Sequence, residues 1–170
     1  GSAINGVSKK DLSGSTIDLS GDGSILAIGA QLNDDNGEDS GHVRIFKNKN
    51  GTWDQLGQTI SGEYADNFFG SCISISEDGE TIGIGARKHN SPSGVDSGHV
   101  KVYTFDPSTS SWIQKGEHIY GESINEYLGQ SISLSSDGNS LAIGSPTSND
   151  LKGSTRVFTF DIEKDDWQQV

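Results

Sequence analysis

The chain says nearly the same thing three times, and that repetition limits its fold more than any other feature. Gly14 to Ala30 reads GSTIDLSGDGSILAIGA, Gly70 to Ala86 GSCISISEDGETIGIGA, and Gly129 to Ser145 GQSISLSSDGNSLAIGS. A second block follows each time: GHVRIFK from Gly41, GHVKVYT from Gly98 and GSTRVFT from Gly153. A tryptophan closes each unit, at Trp53, Trp112 and Trp167. Successive copies begin 56 and 59 residues apart and fill most of the 170 residues. A repeat of this length is one supersecondary unit that completes its core by stacking on its neighbours.

Within a unit the apolar period is two. Ile73 and Ile75 alternate with Cys72, Ser74 and Ser76, and Val100 and Val102 with His99, Lys101 and Tyr103. Asp-Gly pairs at 22–23, 78–79 and 137–138 separate such runs, the pattern of strands joined by tight hairpins. Each unit therefore predicts four antiparallel strands, in the second unit 70–76, 81–86, 98–105 and 112–120. No segment carries a helical stripe. The first two strands are bulky on one face and tiny on the other: Ile17, Leu19, Leu26 and Ile28 against Thr16, Asp18, Ala27 and Gly29. Such a sheet suits stacking on its own copy, bulk into hollow. Four-stranded sheets repeated around an axis make a β-propeller. The expected fold class is all-β, with three propeller blades per chain forming half of a six-bladed ring.

Composition excludes several functions. With 12 Lys+Arg against 24 Asp+Glu, the formal charge of −12 repels phosphate, so no nucleic-acid partner is expected. No apolar run approaches the roughly 18 residues of a membrane span. The single Cys72 cannot form an internal disulfide and rules out a multi-cysteine metal site. Its place on the small face points to burial.

Phe69-Gly70 followed by Gly85-Ala86 gives the landmarks of the FG-GAP repeat, and the second unit resembles that family most fully. The first unit has Ser13 in place of Phe, and the third has Leu128-Gly129 and Gly144-Ser145-Pro146. The resemblance, to blades of the integrin alpha-chain head and their microbial surface-protein variants, covers 4–170, with core repeats at 14–62, 70–121 and 129–170. Residues 1–3 read as an expression scar or tail. The resemblance implies an extracellular or cell-surface recognition and adhesion module without catalysis. A structural, self-assembling half-propeller and a lectin-like carbohydrate binder are the alternatives. The family's calcium loop is missing: Ser20–Gly23, Ser76–Gly79 and Ser135–Gly138 hold too few carboxylates for the 6–8 oxygens calcium takes.

A propeller's loops alternate between two faces. Here one face gathers the longer, unequal loops 31–40, 87–97 and 146–152 with the linkers 62–69 and 121–128. It is acidic, carrying Asp34, Asp35, Glu38, Asp39, Glu63, Asp66, Asp96, Glu122, Glu126 and Asp150. This is the expected ligand surface for a protein or glycan, by way of a cationic or metal-bridged contact. Within Asn33–Asp39, a calcium ion held by Asn33, Asp35 and Asp39 competes with a solvated acidic loop whose Asn and Asp bond their own backbone.

His42 and His99 are equivalent and become Ser154 in the third unit, the mark of a structural role. His89 and His118 have no counterparts in the other units and read as surface residues. No serine stands out as a nucleophile, because the serines fall at repeated strand positions. Three blades leave two open flanks, so the expected partner is a second copy closing the ring head to tail, or further blades of a longer chain.

Overall fold

A computed structural model describes all residues, 1–170. Its elements are almost entirely strands, in three antiparallel sheets that follow one another along the chain. The first holds β1 (Thr16–Leu19), β2 (Ile25–Ala30), β3 (His42–Lys49), β4 (Thr52–Gln55) and a short β5 (Ile60–Ser61). The second holds β6 (Phe69–Ile75), β7 (Thr81–Ala86), β8 (His99–Asp106), β9 (Ser111–Gln114) and β10 (Ile119–Tyr120). The third holds β11 (Ser131–Leu134), β12 (Ser140–Ser145), β13 (Ser154–Asp161) and β14 (Asp166–Gln169). One helical turn, α1 (Ser148–Leu151), is the exception, and no helix is long and apolar enough to cross a membrane.

The hairpins form where Asp-Gly falls, and their chemistry repeats. The Ser20, Ser76 and Ser135 hydroxyls donate to Asp22, Asp78 and Asp137, and each hydroxyl accepts the N–H that opens the next strand. The following glycines, Gly23, Gly79 and Gly138, sit at φ 70°, 75° and 65°, where a side chain would be strained.

The sheets nest as their lopsided faces require. β6 lies against β1 and β2 on one side, and β11 packs against β6 and β7 on the other. Ile73, Ile75, Ile82 and Ile84 join Ala27, Val43 and Ile45 in one core. Leu134, Leu141, Ile143 and Phe158 join Val100 and Val102 in a second. Burying each such side chain contributes about 1.5–3 kcal/mol. Glycine makes the approach possible: a Cβ on Gly29 would strike the Gly70 carbonyl, and one on Gly85 the Gly129 carbonyl. Polar bonds cross the same joints. Thr16 Oγ1 donates to the Gly70 carbonyl (2.6 Å), Ile75 N–H to Asp18 (2.8 Å) and Leu134 N–H to Ser74 (3.0 Å).

The single fourth strand expected at 112–120 is corrected to two pieces. β9 pairs with the far half of β8, while β10 pairs with its start at Val100 and His99. Between them Gly116 turns through φ 72°, pressed against the Trp167 ring of the next blade, as Gly57 is against Trp112. The indoles dock by donating to main-chain carbonyls of the preceding blade, Trp112 to Leu56 and Trp167 to Lys115, both at 2.9 Å. Cys72 is half-buried, and burial raises its thiol pKa.

Candidate functional site

The β2–β3-type loops and the blade-to-blade linkers share one face, held together by main-chain bonds such as Asp66 N–H to the Glu38 carbonyl and Leu128 N–H to the Ser97 carbonyl. Much of the acidity expected to bind a partner is already engaged. The third residue of each third strand is basic: Arg44, Lys101 and Arg156. Lys101 is buried and ion-paired with Glu63 (2.5 Å), and Arg156 with Glu122 (2.6 Å) and Glu126 (3.2 Å). Each pair clamps a linker onto the next blade. Glu126 is itself buried and also accepts from the N–H groups of Glu122 and Ser123 and from the Ser145 hydroxyl.

The other acidic candidates divide. Asp34 accepts the Asp39 N–H, and Asp96 accepts the Tyr127 hydroxyl. Asp35 lies 3.6 Å from His42 Nδ1. Glu38, Asp66 and Asp150 are exposed. Around Asn33, the side-chain oxygen accepts the Asp35 N–H and the amide donates to Asp11. The structure holds no group of three or more His, Cys, Asp or Glu able to bind a metal ion.

A different constellation forms between the first two blades. His89 follows β7 by three residues, its N–H bonded to the Ala86 carbonyl; His99 opens β8. His118 immediately precedes β10, which folds back so that Tyr120 pairs with His99. The His89 and His99 rings lie 4.1 Å apart between centroids, and His99 and His118 5.8 Å apart. The Tyr120 ring lies 5.7 Å from His89, and its hydroxyl is 2.7 Å from His118 Nδ1. Lys101, two residues beyond His99 on the same face, brings Glu63 to the group, and Tyr64, exposed, lies 6.1 Å from His89.

The electrostatics suit proton transfer. Burial is the main cause that lowers the pKa of His89, His99 and His118, and the Lys101 charge adds to it in each. All three are neutral at pH 7. Burial alone would raise the Glu63 carboxyl, but the hydrogen bond and charge of Lys101, with His118 and His89 nearby, hold it below its usual value. His99 is 1% exposed with both ring nitrogens unpaired, and buried His89 has an unpaired Nδ1. An unpaired buried polar atom costs about 1–3 kcal/mol, so the rings retain hydrogen-bonding capacity that the fold does not use.

The expectation that His89 and His118 are surface residues is corrected: His89 is 6% exposed and His118 half-buried. The available signal was that both break the repeat. Where the second blade has His99 and His89, the third has Ser154 and Ser148, hydroxyl to hydroxyl at 2.7 Å. The larger clefts lie elsewhere. One of about 660 Å³ opens beside Gly144, Lys152 and Thr155, and one of about 640 Å³ lies between Ile124 and Leu151. Lys152 lines the first, and Asp150 and Tyr127 the second, and neither cleft brings a carboxylate and a histidine together.

No protein-family model matches the sequence, and no curated protein does either. Solved structures do. A protein from Bacteroides uniformis provisionally identified as a 6-phosphogluconolactonase superposes with a TM-score of 0.60 at 17% identity, over 91% of this chain and 38% of that one. A counterpart from Bacteroides fragilis gives 0.60 at 17%, over 92% and 38%. The periplasmic gluconolactonase of Pseudomonas aeruginosa gives 0.58 at 21%, over 92% and 39%. The chain thus spans about two-fifths of these neighbours' length. At such identities the likeness establishes the propeller fold alone. No family model supports the FG-GAP resemblance and none of these neighbours is described as an FG-GAP or adhesion protein, so that resemblance and the adhesive, non-enzymatic role drawn from it are corrected.

Proposed function

We propose that these three blades belong to a sugar-lactone hydrolase and supply its acid–base residues between the first and second blades. One observation carries this: three neutral imidazoles stand around an ionised carboxylate and a buried ammonium, His89, His99 and His118 around Glu63 and Lys101. Lactone hydrolysis needs those parts and no co-reactant. Water adds to the carbonyl carbon as a neutral base takes its proton, and a cation offsets charge on the carbonyl oxygen. The ring oxygen then leaves with the returned proton, and a hydroxy acid is released. His118, with Tyr120 on its Nδ1, is assigned as the base, and Lys101 as the charge stabiliser. The neighbours' descriptions as gluconolactonases support the substrate class. The net charge of −12 favours the uncharged lactone over its phosphate ester. The test is a pH-stat measurement of acid release from glucono-δ-lactone above its spontaneous rate. Wild type should exceed background, and His118→Gln should lose about 10²-fold or more of the excess. A wild-type rate equal to the spontaneous one refutes the assignment.

A further inference from the structure

The two open flanks of the chain are halves of the same joint. The two joints inside the chain define its parts. At each, a bulky face covers a small one: Ile73 and Ile75 of the second blade are 8% and 7% exposed there, whereas Ile17 and Leu19, at the same positions in the first blade, are 65% and 50% exposed. Ile17 lines an apolar hollow with Ile4, Leu26, Ile28 and Trp53. The opposite flank, on the third blade, is the small face that such bulk covers, built from Ser131, Ser133, Ala142, Gly144 and Thr155.

The match extends to single atoms. Gly29 and Gly85 each stand against a carbonyl of the next blade, that of Gly70 and of Gly129. Gly144 occupies that position in the third blade, and its nearest neighbour is only the Ser131 side chain. Gly70 and Gly129 press on the preceding blade, against His42 with Val43 and against His99 with Val100; Gly14, equally left-handed at φ 91°, has nothing within 4 Å. Ser74 accepts the Leu134 N–H, and Ser133 holds the place of Ser74 on the third blade, while the Leu19 N–H on the first blade donates to its own Asp18 side chain. Trp112 and Trp167 donate to carbonyls three residues beyond the tryptophan of the preceding blade; that position in the third blade is Val170, and Trp53 has no such bond.

We infer that a second copy of this chain closes the ring, its first blade seated on the third blade of the other and the reverse. Head-to-tail contacts close when the rotation permits, and a two-fold ring makes this joint twice. Asp18, which crosses the first internal joint, is replaced by Ser133 at the outer one, and the charged side chains on the flanks include Arg44, opposite Ile28 in the sheet, and Lys152, beside Gly144 and Thr155.

Sedimentation at low micromolar concentration should give about 36 kDa, twice the 18.0 kDa of one chain. Leu19→Glu on one flank and Ala142→Glu on the other should each give an 18 kDa species with unchanged circular dichroism, since neither residue is needed inside the chain. Mixed, the two variants should recover a dimer with one intact joint. Wild type at 18 kDa overturns the inference, as does a ladder of open oligomers. A dimer that survives Ala142→Glu but not Leu19→Glu overturns it too, because that result means like flanks pair.

Discussion

Gly83 and Gly85 lie two residues apart on β7 and face the same neighbour, yet alanine at each should change stability in opposite directions. A methyl on Gly83 meets Ile132 Cδ1 at 3.4 Å and Leu141 Cδ1 at 3.5 Å, close to ordinary contact with apolar atoms. It adds about 0.8 kcal/mol of burial, and the stiffer unfolded chain adds about 0.4–1 kcal/mol. Gly83→Ala should therefore stabilise by about 1–2 kcal/mol. A methyl on Gly85 falls on the Gly129 carbonyl oxygen, which is main chain and cannot rotate away. The third blade must back off, at the cost of about 1–3 kcal/mol typical of overpacking. At about 2–4 °C per kcal/mol for a chain of this size, the two variants should melt roughly 5–15 °C apart. Thermal unfolding followed by tryptophan fluorescence reads this directly, since Trp112 and Trp167 are buried at the joints. If Gly85→Ala melts at or above wild type, or both variants move the same way, carbonyl contact does not set the spacing of the blades.

Acid should destabilise the protein above the carboxylate range. His42, His89, His99 and His118 all have folded pKa values lowered from the ordinary 6.5, with burial the main cause. The unfolded chain therefore takes protons first, and stability falls as pH drops below about 6.5. For deeply buried His99 the slope is up to about 1.4 kcal/mol per pH unit. Urea midpoints at pH 7.5, 6.5 and 5.5 should fall in order, and less steeply in His99→Gln; a flat series contradicts the burial of a neutral ring. Separately, Glu63→Gln leaves the Lys101 ammonium, 4% exposed, without its counter-charge. Because Glu63 is itself 45% exposed, the loss should be about 1–2 kcal/mol rather than the 3–5 of a fully buried pair. Urea denaturation checks it, and a variant within error of wild type would show that water already screens the pair.

The repeat and its alternation carried the fold. Bulky and small residues at period two state which face covers which, and Asp-Gly states where the hairpins fall. The split fourth strand was not apparent, because Gly116 turns the chain for a reason that lies in the next blade, the indole of Trp167. The site was harder to see. Glu63 was singled out for its charge, but its partner Lys101 lies 38 residues away on another blade. His89 and His118 meet only because β10 folds back onto the start of β8, a contact no local pattern encodes. Counting carboxylates exaggerated the acidity of the loop face, since Glu63, Glu122 and Glu126 hold cations from the next blade.

The hairpin tips also touch one another. Gly21 N–H donates to the Glu77 carbonyl, and Glu77 N–H donates to the Ser136 carbonyl. This seam runs from sheet to sheet using main-chain atoms alone, so it is indifferent to which side chains the sequence carries. The pitch of the assembly is thus written in peptide groups, while the residues around it stay free to change. Propellers can then drift to under a quarter of shared residues and still superpose, and a histidine cluster can arise at one joint without disturbing the next.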